Sequence, residues 1–138
     1  MARRLSAILA ADIVGYSRLM GLEEERTVER LKQLYKELVH PEISKRNGRT
    51  VKLMGDGLLA EFASVVDAVT CAAQIQKCMS ERESDLAEDR KFQLRIGINL
   101  GDVIVEGNDI YGDGVNVAAR LESLGEPGGM CISQAVYE

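Results

Sequence analysis

The sequence predicts an α/β (α+β) fold: a ferredoxin-like βαββαβ core with an antiparallel sheet, followed by an additional C-terminal hairpin and helix. Three observations predict it. Strand-length apolar runs alternate with stretches whose apolar residues recur at helical spacing. Two of those runs are separated only by Gly55-Asp56-Gly57, a hairpin signal. The first six elements read strand, helix, strand, strand, helix, strand, which is the order of that unit.

Leu5–Val14 is nearly continuous apolar sequence with Asp12 inside it, as suits a central strand covered on its faces. Gly15, Tyr16 and Ser17 break the run. In "EEERTVERLKQLYKELV", Val28, Leu31, Leu34, Tyr35 and Leu38 recur at helical spacing, and acids crowd the first turn, where the helix dipole favours them. Pro41 is expected to stop or kink this helix near His40, the only histidine, which is assigned no chemistry. Asn47-Gly48 supplies a stop. Thr50–Met54 and Leu58–Phe62 read as the strands of the hairpin.

Ser64 with Asp67 three residues on is a capping box for a helix over about Val65–Glu81, with Val66, Val69, Ala73 and Met79 or their neighbours facing inward. "FQLRIGINLGDVIVEG" reads as a second hairpin that turns at Leu100-Gly101, and "NDIYGDG" as a loop. Gly114–Leu124 is a short helix stopped by Gly125, and Met130–Ile132 a last short strand. The sequence ends in what reads as the first turn of another helix, so residues 1–138 are expected to form one domain cut short at its C-terminus.

The composition bounds the function. At 138 residues, with 46% hydrophobic and 28% charged, the chain is one globular domain with a real core. A net charge of −5 argues against a nucleic-acid module, which would carry a basic face. It leaves a small nucleotide open, because metal ions can supply positive charge. Cys71, Cys78 and Cys131 form no motif and read as small buried hydrophobes in a reducing, cytoplasmic compartment. No stretch approaches the ~20 apolar residues that span a bilayer.

The chemistry gathers at two acids. The fold places the first and third strands side by side and antiparallel, which brings Asp12 beside Asp56 across 44 residues of sequence. Alone, Asp56 reads as a turn residue and Asp12 as a salt-bridge partner. Together they repel unless a cation sits between them, and hard divalent ions take one or two carboxylates plus substrate phosphates. The backbone turn through Gly15 into "VGYS" offers free N–H groups suited to phosphate oxygens. Lys52 reads either as an edge-strand lysine or as a donor to a base or phosphate. Asn116 and Arg120 are four apart on one helix face. Arg120 reads either as a surface partner of Glu122 or Glu126, or as a planar fork for phosphate oxygens. Asp113, in the second "GDG", reads as a helix N-cap.

"ADIVGYS", "VKLMGDGLLAEF" and "DIYGDGVNVAARLE" together resemble the three signature segments of the class III nucleotidyl cyclase catalytic domain, in order and at suitable separations. The resemblance implies an adenylate cyclase that converts ATP to 3′,5′-cyclic AMP and pyrophosphate, in signal transduction. It implies that Asp12, Asp56 and the backbone carbonyl of Ile13 bind two Mg²⁺ or Mn²⁺ ions per site. Lys52 and Asp109 would read adenine, Asn116 would orient the ribose and Arg120 would meet transition-state charge. Gly15, Tyr16 and Ser17 would contact the substrate. It further implies a homodimer with shared active sites, regulated by other domains of the parent chain. The alternatives are a non-catalytic nucleotide-binding or dimerisation module of the same fold, or a guanylate cyclase. One departure stands out: family domains run on into further strands that carry a basic triphosphate contact.

Overall fold

The structure, a computed structural model, describes residues 2–137. Strand β1 (Ala2–Ile13) leads into α1 (Tyr16–Leu22) and α2 (Glu24–Leu34). A π-helical turn over Tyr35–Val39 joins α2 to α3 (His40–Lys45). The hairpin β2 (Gly48–Met54) and β3 (Gly57–Phe62) follows, then α4 (Val65–Arg82). After β4 (Leu94–Glu106) and β5 (Asp109–Tyr111) come α5 (Asp113–Leu124), β6 (Met130–Ile132) and α6 (Gln134–Tyr137).

The strand order is β2-β3-β1-β4-β5, with β6 pairing beside β4. Its first four strands have the order of the expected βαββαβ core. All these pairs are antiparallel except β4–β6. β1 is central and its apolar run is buried from Ala7 to Ala11, as a strand covered on both faces must be. On one face α2, α3 and α4 pack over Leu9, Leu58, Phe62, Ile96 and Ile98. On the other, α5 covers Ile8, Leu59 and Val103 through Ala118.

Several local expectations are refined. The turn expected at Leu100-Gly101 is absent: β4 is one 13-residue strand, paired with β1 from Ile13↔Leu94 to Ala2↔Val105. Gly101 is small for a different reason, since a Cβ there would press on the Cα of Gly114 at 3.3 Å. The chain instead reverses after Glu106 through Gly107, at φ 61°, and the expected loop contains β5. In α4 the buried face is Ala68, Cys71, Ala72, Ile75 and Met79, while Val66 and Ala73 face solvent. Met79 is buried and Val69 packs against the core as expected, and neighbours of Val66 and Ala73 take the remaining inward places.

The expected break near His40 takes the form of a π turn that ends at Val39, and Pro41 falls in the first turn of α3. The wider π turn before it accommodates the missing N–H donor. Asp113 opens α5 as its first residue, and the N-cap is Gly112. The Ser64 cap is as expected, with its Oγ accepting from Asp67 N at 3.2 Å. His40 is half-buried, with Nδ1 3.0 Å from Thr50 Oγ1. Cys71 is buried, and burial beside Glu42 pushes its thiol up to about 12, which suits an inert core residue.

A polar knot pins the outer end of the sheet. Glu61 on β3 is buried and accepts from Arg4 (2.6 and 2.8 Å), Ser6 Oγ (2.5 Å) and Arg49 (3.0 Å). Burial pushes its carboxyl up, but the bonds from Arg4, Ser6 and Arg49 outweigh burial and hold it at about 2, below the ordinary 4.5. A depressed carboxylate stabilises the fold above its unfolded pKa, and that stability drains as pH falls through the folded value. Glu61→Gln is therefore expected to cost ~1–3 kcal/mol at pH 7 and to flatten the fall in stability between pH 5 and 2. Urea unfolding across that range measures both, and a variant that keeps the wild-type slope counts against this account.

Candidate active site

β1 and β3 run antiparallel with Ala11 opposite Leu58, so the end of β1 reaches the β2–β3 turn. There Asp56 Oδ2 accepts from the backbone N–H of Ile13 at 3.1 Å. The Asp56 carbonyl accepts from the Tyr35 hydroxyl at 2.7 Å. Asp12, the residue before Ile13, lies across β4 from Arg95. The expected juxtaposition of Asp12 and Asp56 is present.

The corner gathers three acids, Asp12, Asp56 and Glu122. Burial pushes the Asp12 carboxyl above its ordinary value, a hydrogen bond with Glu122 opposes this, the charge of Asp56 pushes it further up, and Arg95 opposes. Glu122 is pushed up to about 8, by burial first and then by the hydrogen bond and charge of Asp12. Asp12 Oδ1 is buried and has no hydrogen-bond partner among the described residues. A buried, unpartnered carboxylate oxygen is costly and rare. With Asp56 alongside, it makes a hard oxygen donor pair of the kind that binds Mg²⁺ or Mn²⁺. Among the described residues no group of three or more His, Cys, Asp or Glu is spaced to hold a metal. Asp12 and Asp56, with the backbone carbonyl of Ile13, are the groups that could hold such an ion. The donor set fits a hard divalent ion.

Gly15 follows in the left-handed conformation (φ 67°), where glycine is favoured, and opens α1. Ser17 is exposed in the first turn of α1, and Tyr16 is half-buried against the core.

Lys52 and Asp109 meet. Lys52 Nζ lies 3.1 Å from Asp109 Oδ1 and 3.2 Å from Oδ2, although 57 residues separate them. Alternation along β2 would not have located this pair. The strand slips register between Thr50 and Lys52, a bulge that re-aims the lysine. The sheet also curls until its edge strands β2 and β5 touch, with Arg49 bonding the Asn108 carbonyl at 2.8 Å. The Lys52 ammonium holds the Asp109 carboxyl below the ordinary range, against slight desolvation, helped by the Ile110 N–H and the Tyr111 hydroxyl. The Tyr111 ring sits 5.4 Å from Lys52 Nζ and is 44% exposed, so this cluster faces outward.

Asn116 and Arg120 are exposed on α5, one turn apart. Arg120 does not pair with Glu122, which points to Asp12; among the described residues neither Arg120 nor the Asn116 side chain has a partner. α5 itself is held close to β4, because a Cβ on Gly97 would collide with the backbone of Glu122 and Ala118.

The two groups are not bonded to each other. Among the described residues no hydrogen bond or ion pair links Asp12 or Asp56 to Lys52, Asp109, Asn116 or Arg120. Sequence reasoning missed two members of the first corner, Glu122 and Tyr35. Glu122 had a signal: it lies four residues after the buried Ala118, on the packed face of its helix.

The family model described as "Adenylate and Guanylate cyclase catalytic domain" matches residues 4–138. A protein of Rhizobium meliloti is 53% identical over 136 residues, covering 99% of this chain and 23% of its own length. A protein of Glutamicibacter nicotianae named adenylate cyclase is 38% identical over 123 residues, covering 88% of this chain and 29% of its own. The chain thus spans about a quarter of the curated relatives it matches. A crystal structure of an adenylate/guanylate cyclase/hydrolase from Silicibacter pomeroyi is 48% identical, covers 99% of this chain and 79% of that one, and superposes with a TM-score of 0.92. A guanylyl cyclase domain from the fungus Blastocladiella emersonii shares the fold at 22% identity, covering 99% and 84% of the two chains, with a TM-score of 0.84. Among the described residues, no helix is long and apolar enough to cross a membrane.

Proposed function

Because the chain belongs to the family of adenylate and guanylate cyclase catalytic domains, we propose that residues 1–138 act as an adenylate cyclase catalytic domain, making 3′,5′-cyclic AMP and pyrophosphate from ATP. The observation that carries the choice of ATP is the Lys52–Asp109 pair, 3.1 Å apart on the outward-facing rim. Adenine offers a ring-nitrogen acceptor to the ammonium and an exocyclic amine to the carboxylate. Guanine would set a carbonyl oxygen against the carboxylate, leaving both acceptors unpaired.

Asp12, Asp56 and the Ile13 carbonyl are the residues that would hold divalent ions. Bound there, such ions would supply acidity to the ribose 3′-hydroxyl and charge to the triphosphate. The residues of this chain divide the remaining work. Asn116 orients the ribose. Arg120 presents its guanidinium fork to the charge that builds on the α-phosphoryl oxygens as the 3′-oxygen bonds to phosphorus and the bond to the β-phosphate oxygen breaks. Gly15 leaves backbone N–H groups open at the start of α1 for phosphate oxygens. Among the described residues no hydrogen bond or ion pair joins Asp12 or Asp56 to the Lys52–Asp109 pair, in keeping with a symmetric homodimer whose two sites each draw on both subunits.

The test is turnover by the full chain with Mn²⁺, ATP against GTP. Cyclic AMP is the expected product, with ATP preferred. In Lys52→Glu with Asp109→Cys the ratio of kcat/KM values should move toward GTP by ~10-fold or more, the size of a lost pair of buried polar contacts. Selectivity that stays at the wild-type ratio in a folded double variant overturns the base-reading assignment. Tight ATP binding without turnover in a dimer would favour the non-catalytic alternative.

A further inference from the structure

We propose that Tyr35 is a positioning residue for the metal corner, its hydroxyl holding the Gly55-Asp56-Gly57 turn so that the Asp56 carboxylate faces Asp12. The inference rests on the reading of Asp12 and Asp56 as metal ligands.

The turn is poorly supported by packing. Gly55 adopts a left-handed φ of 62°, and nothing lies within 4 Å of where its Cβ would be. Its neighbours Leu53 and Met54 are 49% and 52% exposed. Behind it an open groove of about 420 Å³, bordered by Tyr16, Tyr35, His40, Leu53 and Gly55, leaves room for the tip to move. Two bonds tether Asp56: Ile13 N–H to Oδ2 and Tyr35 O–H to the backbone carbonyl. They differ in kind. The first occupies a carboxylate oxygen that a cation also seeks. The second is made to the main chain, so it persists while the carboxylate binds metal. Beyond the Met54–Gly57 pairing that closes the hairpin, it holds Asp56 without competing for the ligand.

The fold invests in the placement of Tyr35. The side chain is 5% exposed. It begins the π turn, which carries the chain from α2 to α3, and π turns of this kind re-aim side chains at functional sites. Its ring lies 6.0 Å from that of His40, which bonds Thr50 on β2, so the helix grips the hairpin both at its tip and along its strand. A tyrosine that merely filled the core would need a hydroxyl partner, but any carbonyl would serve.

Tyr35→Phe keeps the ring and removes the tether. In the full chain, titrated with Mn²⁺ alone and followed by electron paramagnetic resonance, the dissociation constant should rise ~3–10-fold, the worth of one hydrogen bond. In turnover assays the Mn²⁺ concentration for half-maximal rate should rise by the same factor, with kcat at saturating Mn²⁺ within ~2-fold of wild type. Asp56→Ala is run beside it and should abolish Mn²⁺ binding. If Asp56→Ala loses the metal and Tyr35→Phe binds it as wild type does, Tyr35 is a core residue and the inference fails alone. If Asp56→Ala also binds Mn²⁺ as wild type does, the metal reading itself fails and takes the inference with it. A fall in melting temperature without a change in Mn²⁺ affinity likewise marks a purely structural role and overturns the proposal.

Discussion

Arg120→Ala should lower kcat for ATP cyclisation by ~10²–10³-fold, the usual cost of removing one donor aimed at developing charge, while KM changes little. The expectation starts from exposure. Arg120 stands on the outer face of α5 and makes no bond or ion pair among the described residues, so its loss removes nothing that the fold uses. The melting curve should stay within ~0.5 kcal/mol of wild type, as for a surface change. A cation left unpaired on a helix of small, closely packed residues is available to a ligand. Its partner Asn116, one turn away, is equally free. Because the charge on the α-phosphoryl oxygens grows only as the 3′-oxygen attacks, the guanidinium contributes to the transition state more than to ground-state binding. Arg120→Lys keeps the charge but not the planar fork, and should recover only part of the rate. A folded, dimeric Arg120→Ala variant with wild-type kcat in the Mn²⁺-dependent assay would remove Arg120 from the mechanism.

The meeting of Asp12 and Asp56 was legible in the sequence because topology alone decides it. Once β1 and β3 are neighbours and antiparallel, the acid near the end of one must meet the acid before the start of the other, whatever the side-chain details. The Lys52–Asp109 pair was legible only through the family resemblance. Its physical causes are a bulge at one edge of the sheet and a curl that brings the two edges together. Neither leaves a mark in residue periodicity. β4 was misread for a related reason. Gly101 looks like a turn residue, but it is a point of close approach to Gly114, and the same residue type serves both ends. Tyr35 lay beyond reach altogether. Its helical spacing marked it as core, and so it is; that its hydroxyl should reach the carbonyl of Asp56 depends on a π turn that no local signal announces.

The proposed sharing of each site between two subunits makes the strongest demand on solution behaviour. Asp56→Ala and Arg120→Ala chains should each be inactive alone, yet mixing them in equal amounts should restore ~25% of wild-type activity if subunits of a two-fold symmetric dimer pair at random. The arithmetic follows from geometry. Half of the dimers then contain one chain of each kind. In such a dimer one site combines both defects, and the other combines an intact metal corner from the Arg120→Ala chain with an intact guanidinium from the Asp56→Ala chain. One working site in two, in half of the dimers, is a quarter. A site built wholly within one chain predicts no recovery at all, because every chain in the mixture carries a defect. The same experiment run with Lys52→Ala in place of Arg120→Ala should also recover activity. Lys52 reaches Asp109 from β2, only a few residues from Asp56, so this arm asks whether one hairpin serves two active sites. Recovery with Arg120→Ala but none with Lys52→Ala would place Lys52 in the same site as Asp56 and confine the shared machinery to α5.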